Sequence, residues 1–281
     1  MPKPVKKESV ARLDRDHAVS QLVAAATALL ADKGPGEIKA RSVAEAAGLS
    51  TIAVYHHLGG LPELINAVVD QGFRDLGDAF LDAPAGQDPV TSLFAMALAS
   101  RRFAQANPHL YDLMFGLSTR GSYRPLQTAE SAGRSRADNF QKAYAHLIQA
   151  CTRLVDSGRV RADEDPEVIA PQLWSTVHGF VTLELGDHLA QFDDPVRQVL
   201  QPMMINLVVG LGDDPRSAAA SHSAAIDAPS LCPRKGSSEA EELGGDRGEL
   251  VVKLEDAAVT GVGVDDQLGS LDAPVKVLGE H

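Results

Sequence analysis

Between Lys39 and His57 the sequence gathers the side chains that can grip a nucleic-acid duplex. Lys39 and Arg41 are cations, Ser50, Thr51 and Tyr55 carry hydroxyls, His56 and His57 add imidazoles, and Ile52 offers only apolar contact. Groups of the first three kinds donate to phosphate oxygens and fix position on DNA. Contact with base edges carries the sequence information, and an isoleucine suits a thymine methyl. A second set is aromatic: Phe94, Phe103, Tyr111, Phe115, Tyr144 and Trp174, with Met114 and His178 among them. An apolar cavity with a few polar groups is the usual form of a small-molecule site, and His178 and Tyr144 would be its polar members. Glu184 and His188 stand four apart, but no second ligand pair like HExxH accompanies them, so no metal site is expected. GVGVDDQLG echoes a glycine loop without the strand and helix such a loop needs, and no Ser/His/Asp or Cys/His arrangement can be inferred. No cofactor and no catalysis are expected.

These residues act only if helices hold them. From Asp14 to Lys33, Val19, Leu22, Val23, Ala26, Leu29 and Leu30 recur at helical spacing before Gly34. Arg41 to Ala47 reads as a short helix, broken at Gly48. Ser50 or Thr51 can cap a third helix to about His57, closed by Gly59-Gly60. Pro62 then sits in the first turn of a fourth helix, Leu61 to about Leu81. Val43, Ala44, Ala47, Leu49 and Val54 are spaced to bury the inner sides of the two short helices, which leaves Ser50, Thr51, Ile52, Tyr55 and His56 outside. A supporting helix, a sharp bend and a second helix with an outward leading edge make a helix-turn-helix.

Residues 14–70 resemble the N-terminal domain of TetR-family transcriptional regulators: ALLADKG, SVAEAAGLS, VYHHL and LPELINAV follow one another as that pattern requires. LWSTVHGFVTLEL, preceded by GRVRADEDPEVIA, resembles the Trp-x3-His-Gly segment of one ligand-binding subclass, so the likeness covers roughly 13–212. It implies an all-α chain of about nine helices that works as a homodimer, a repressor on a palindromic operator in double-stranded DNA, released by a small apolar effector. Lys39, Arg41, Tyr55, His56 and His57 would then lie at the DNA backbone, with Thr51 and Ile52 nearest the bases. The family's usual lysine at the start of the fourth helix is Leu61 here.

One such unit makes few contacts, so a dimer is expected. On the helix bearing Trp174, Ser175, Gly179, Thr182 and Gly186 fall along one side, and small residues permit close approach. With Val199, Met203, Leu207 and Leu211 of the last helix they would form a four-helix interface, and Pro202 predicts a kink there. The neighbouring stripe through Trp174 and His178 would face the effector.

Net charge is −12, yet residues 1–60 carry eight basic against six acidic groups, and 217–281 carry five against twelve. This gradient suits a DNA-facing N-terminus on an acidic body. No apolar run approaches the roughly 20 residues a membrane span needs, and a basic start without an apolar stretch points to the cytoplasm. Cys151 and Cys232 lie too far apart in pattern for a disulfide framework or zinc site. The expected organisation is a basic flexible arm 1–12, a DNA-binding domain 13–60, a helical ligand-binding and dimerisation domain 61–212, and a disordered acidic tail 213–281. A helical adaptor or small-molecule-binding protein without DNA affinity is the competing reading, motivated by Leu61 and the acidity.

Overall fold

Leu22, Ala26 and Leu30, four residues apart, are buried along one stripe of the first helix, and the short helices that follow close over that stripe. The structure, a computed structural model, describes residues 5–84, 86–115 and 134–228, with side chains from residue 14 in the first helix and 139 in the seventh. Ten α-helices and no strand occur among the described residues. No helix there is long and apolar enough to cross a membrane.

α1 (Val5–Lys33) begins earlier than expected, so residues 5–12 are helical rather than a flexible arm. The stretch holds neither Gly nor Pro, and little in it interrupts a helix. After a single 3-10 turn (Pro35–Glu37), α2 (Ala40–Ala46) turns Val43 and Ala44 inward. Gly48 takes φ +67, and Leu49 N–H donates to Ala44 O at 2.8 Å. That left-handed step is what glycine permits without strain. α3 (Thr51–Leu58) is capped by Ser50, whose hydroxyl accepts from Ala53 N–H, and ends at the left-handed Gly59. Val54 is fully enclosed.

α4 (Leu61–Leu81) buries Leu64, Val68, Phe73, Leu76 and Phe80 and packs on α1 and α3 at one end. Further along it meets α5 (Pro89–Ala106), α6 (Pro108–Phe115) and α7 (Arg134–Asp156). The expected beginning of α7 near Pro125 lies outside the described residues. α8 (Pro166–Leu185) is capped by Asp165 and stops at Gly186, one turn short of the expected His188. Leu154, Ile169, Leu173, Phe180 and Leu200 fill the core between these helices. A π-helical turn at Val196–Leu200 feeds α9 (Gln201–Gly210). Pro202 lacks an N–H for the helical ladder, and the widened turn stands immediately before it, where the kink is expected.

α10 (Pro215–Asp227) corrects the reading of a disordered tail from residue 213. SAAASHSAAID looks low in complexity, but alanine is the strongest helix former, and Asp214 caps the segment by accepting from Arg216 and Ser217 N–H. Its small face lies on α5 and α9, burying Ala218, His222 and Ala225, with the His222 ring 4.5 Å from Phe94. Arg159 ties the arrangement together. It donates to both carboxylate oxygens of Asp213 at 2.9 and 2.8 Å, to Ser221 Oγ at 3.2 Å, and pairs with Asp88, the cap of α5. The tail beyond 228 lies outside the described residues.

Ending the chain at Asp214 strips this cover from Phe94. We expect a stability loss of about 3–5 kcal/mol, comparable to truncating a buried phenylalanine. Urea unfolding of the shortened and full chains measures it; equal midpoints would show that α10 contributes nothing.

Candidate nucleic-acid interface and effector cavity

Burial of Val54 decides which way α3 faces, because residues on the opposite side of an eight-residue helix must then point outward. Ile52 is 75% and Tyr55 60% exposed, and Ser50, Thr51 and His56 are exposed with them. A large aliphatic side chain this open gains nothing from its own fold. His57 behaves differently: it is half-buried, its ring stands edge-on to His56 at 4.7 Å, and its enclosed Nδ1 has no partner among the described residues. The His57 carbonyl accepts from Arg15 Nη2 at 3.3 Å, which ties α1 to the end of α3. Nothing in the sequence singles out Arg15.

Arg41 is exposed and carries no ion pair among the described residues. Lys39 is exposed too, but its ammonium lies 3.1 Å from Glu37. An exposed pair of this kind contributes little stability, and a phosphate can compete for the lysine. Leu61 is half-buried against the core at the first turn of α4, so no cation stands there.

Ser175, Gly179 and Thr182 lie exposed on α8 and Gly186 just past its end, and nothing comes within 4 Å of where a Gly179 Cβ would stand. The ring of His188 covers Gly186 instead, 3.0 Å from such a Cβ. Val168 at 52% and Leu183 at 48% exposure share this side of the helix, an apolar contribution hidden by the stripe of small residues. On α9, Met203 is 40% exposed and Leu207 half-buried, and Val199 of the preceding π-helical turn is half-buried too. Leu211 departs from the expected interface. It is buried, and its carbonyl accepts from Arg161 N–H at 3.0 Å, because the chain turns inward there toward α10.

A cavity of about 30 Å³ lies between α4, α5, α6, α7, α8 and α9, lined by Phe80, Leu93, Met96, Ala97, Ser100, Tyr111, Leu147, Leu173, Trp174, Val177, His178 and Met204. Of the expected aromatic set, Tyr111, Trp174 and His178 line it directly. Phe115 and Tyr144 form an outer wall, each 5.6 Å from the Trp174 ring, and Phe115 lies 4.7 Å from His178. The other three stand elsewhere. Phe94 points from the far side of α5 into α10, Met114 packs over Gly72 of α4, and Phe103 is half-buried without lining the space. A single residue, about 100° of helical rotation, separates the lining Leu93 from Phe94, and periodicity alone does not resolve that.

The Tyr111 hydroxyl lies 2.9 Å from His178 Nδ1. Burial pushes the Tyr111 phenol well up, with hydrogen bonding from Ser100 offsetting part of the rise. Burial likewise pushes His178 down, so its imidazole is kept neutral. Glu184, weighed above with His188 as a ligand pair, is instead held by Arg101 of α5 in a two-pronged ion pair at 2.8 and 2.7 Å.

Residues 93–207 match the family described as "Tetracyclin repressor-like, C-terminal domain". The chain is 25% identical over 176 residues to the HTH-type transcriptional regulator Rv1816 of Mycobacterium tuberculosis (strain ATCC 25618 / H37Rv), covering 61% of this chain and 70% of that protein. Two solved structures share the fold. A protein of unknown function from Rhodococcus sp. RHA1 aligns with a TM-score of 0.58 at 23% identity, covering 70% of this chain and 96% of that one. A bacterial regulatory protein in the tetR family from Rhodococcus RHA1 aligns with a TM-score of 0.51 at 18% identity, covering 70% and 98%.

Both His178 and His222 have folded-state values lowered by burial, so the unfolded chain takes up protons first as pH falls. Stability should therefore be full above the ordinary histidine value of about 6.5 and decline as pH falls below it, well before carboxylates titrate. Unfolding at pH 7.5 and 5.5 tests this: replacing His222 with Leu should flatten part of the difference, and an unchanged slope would assign the loss to other groups.

Proposed function

We propose that this TetR-family transcriptional regulator binds a palindromic operator as a homodimer and leaves it when a small, largely apolar effector enters the cavity of each subunit. The observation that carries the DNA reading is the outward edge of α3, where Ile52 and Tyr55 stand exposed beside Ser50, Thr51 and His56 over a fully buried Val54. In this reading Thr51 and Ile52 meet base edges, while Tyr55, His56, His57, Arg41 and Lys39 meet phosphates. Lys39 exchanges Glu37 for a phosphate as it docks. The chain acts by binding, not by catalysis, in the cytoplasm, and repression is the mode we assign.

The exposed side of α8, together with Val199, Met203 and Leu207, is the surface we assign to the second subunit. Open small residues let two helices approach closely, and Val168, Leu183 and Met203 are apolar groups that a partner would cover. α6 supplies the link between cavity and DNA. It carries Tyr111 into the cavity, sets Leu110 and Met114 tightly over Gly72 of α4, and places His109 against Gly34 after α1. An effector that shifts α6 changes the seat of α1 and α4, and with it the spacing of the two recognition helices. The helical adaptor remains the alternative, since the partly apolar first turn of α4 lacks the phosphate-binding lysine.

Two outcomes follow from this reading. Arg41→Ala should weaken binding to protein-selected DNA and lower the salt dependence by about one ion per site, and Leu61→Lys should do the reverse. Mobility shifts across a salt series decide this, and indifference to both changes would support the adaptor. Gly179→Leu should convert dimer to monomer without unfolding the chain, because its side chain meets open space within the subunit. An unchanged mass in light scattering would move the interface elsewhere.

A further inference from the structure

The cavity has one polar corner, and its hydrogen-bond directions can be worked out. Tyr111 is buried and keeps its phenol proton, and Ser100 already donates to the phenol oxygen, so the Tyr111 O–H is the group directed at His178 Nδ1, 2.9 Å away. The imidazole is kept neutral by burial and can hold only one proton, which then sits on Nε2. Among the described residues no protein group accepts that proton. None of the lining residues is Lys, Arg, Asp or Glu. Arg101 of α5 and Glu184 of α8 are engaged with each other. A carboxylate or ammonium entering this space would lose its water without gaining a counter-charge, which strongly disfavours it.

We propose that the effector is an uncharged, mainly apolar molecule whose single carbonyl or hydroxyl oxygen accepts the His178 Nε2–H. This deepens the reading of the cavity as the effector site and rests on it. Ser100 and Tyr111 act as positioning residues that hold the imidazole in the tautomer that donates. Phe115, with its ring 4.7 Å from His178, and Trp174 supply a wall suited to a flat or cyclic body. The present space of about 30 Å³ holds about one water, whereas an apolar cavity of about 150 Å³ admits benzene. Growth is built into the wall. Met96 and Met204 are unbranched and repack readily, and Trp174 is only half-buried.

Trp174 is the sole tryptophan, so its emission in the full chain reports on this wall directly. Three probes of similar size separate the chemistry: acetophenone accepts a hydrogen bond, toluene cannot, and benzoate is charged. Acetophenone should change the emission and bind about 10-fold or more tightly than toluene, with benzoate silent. His178→Leu should abolish the acetophenone preference while toluene still binds. His178→Gln, which restores a donor, should recover it in part, and Tyr111→Phe should weaken it. Benzoate binding best, a preference untouched by His178→Leu, or no response to acetophenone would overturn the assignment. A mobility shift on the same preparation separates the two readings. DNA binding without acetophenone binding sinks only this inference, and an acetophenone preference without DNA binding sinks only the regulator.

Discussion

Everything at the end of the molecule built from α2 and α3 depends on the enclosure of Val54. A helix of eight residues is marginal in water, so α3 has no orientation of its own to impose. Val54 goes inward with Val43 and Ala44, against the stripe of Leu22, Ala26 and Leu30 on α1. Once that side is fixed, the pitch of the helix sends Thr51, Ile52 and Tyr55 outward. Gly48 and Gly59 allow the backbone to reach this short element and leave it in the left-handed conformation. Position and exposure thus come from one apolar contact and two turns.

The same logic runs through the larger half. α4 is shared by both ends of the described structure, with Leu64 packed beside α3 and α1 and Phe80 lining the cavity. Gly72 lies where α6 comes closest. A Cβ there would sit 2.6 Å from Met114 Sδ, so α6 rests on α4 with almost no clearance. Packed elements of this kind shift as units rather than deform smoothly, so a displacement of α6 would be carried to α1 and α4, which it touches.

Local signals made much of this legible. The periodicity of α1, the glycine between α2 and α3, the serine cap and the proline opening α4 all act within a few residues, and each left its mark in sequence. Ile52 and Tyr55 could be placed on the outer side by counting from Val54. What escaped depends on distant partners. Arg15 reaches the carbonyl of His57 across 42 positions, and Arg159 joins Asp88, the cap of α5, to Asp213 just before α10 and Ser221 within it. α10 was hidden because alanine and serine repeats look alike whether they are solvated or packed. Phe94 and Leu211 were misassigned because a helical stripe shows only which residues share a side, not which neighbour covers it. The Tyr111–His178 bond joins α6 to α8 across 67 positions, so the polar corner of the cavity had no sequence signature beyond the residues themselves.

The most direct test follows the side-chain methyls of Ile52 and Val54 by NMR while the protein is titrated with duplex DNA it has itself selected from a random pool. These neighbours sit on opposite sides of one short helix, 75% exposed and fully buried respectively. If α3 lies along the duplex by its outer edge, the Ile52 methyl resonances move strongly and those of Val54 hold nearly still. Ile52 unchanged in a saturated complex would place the DNA on another surface and contradict the account.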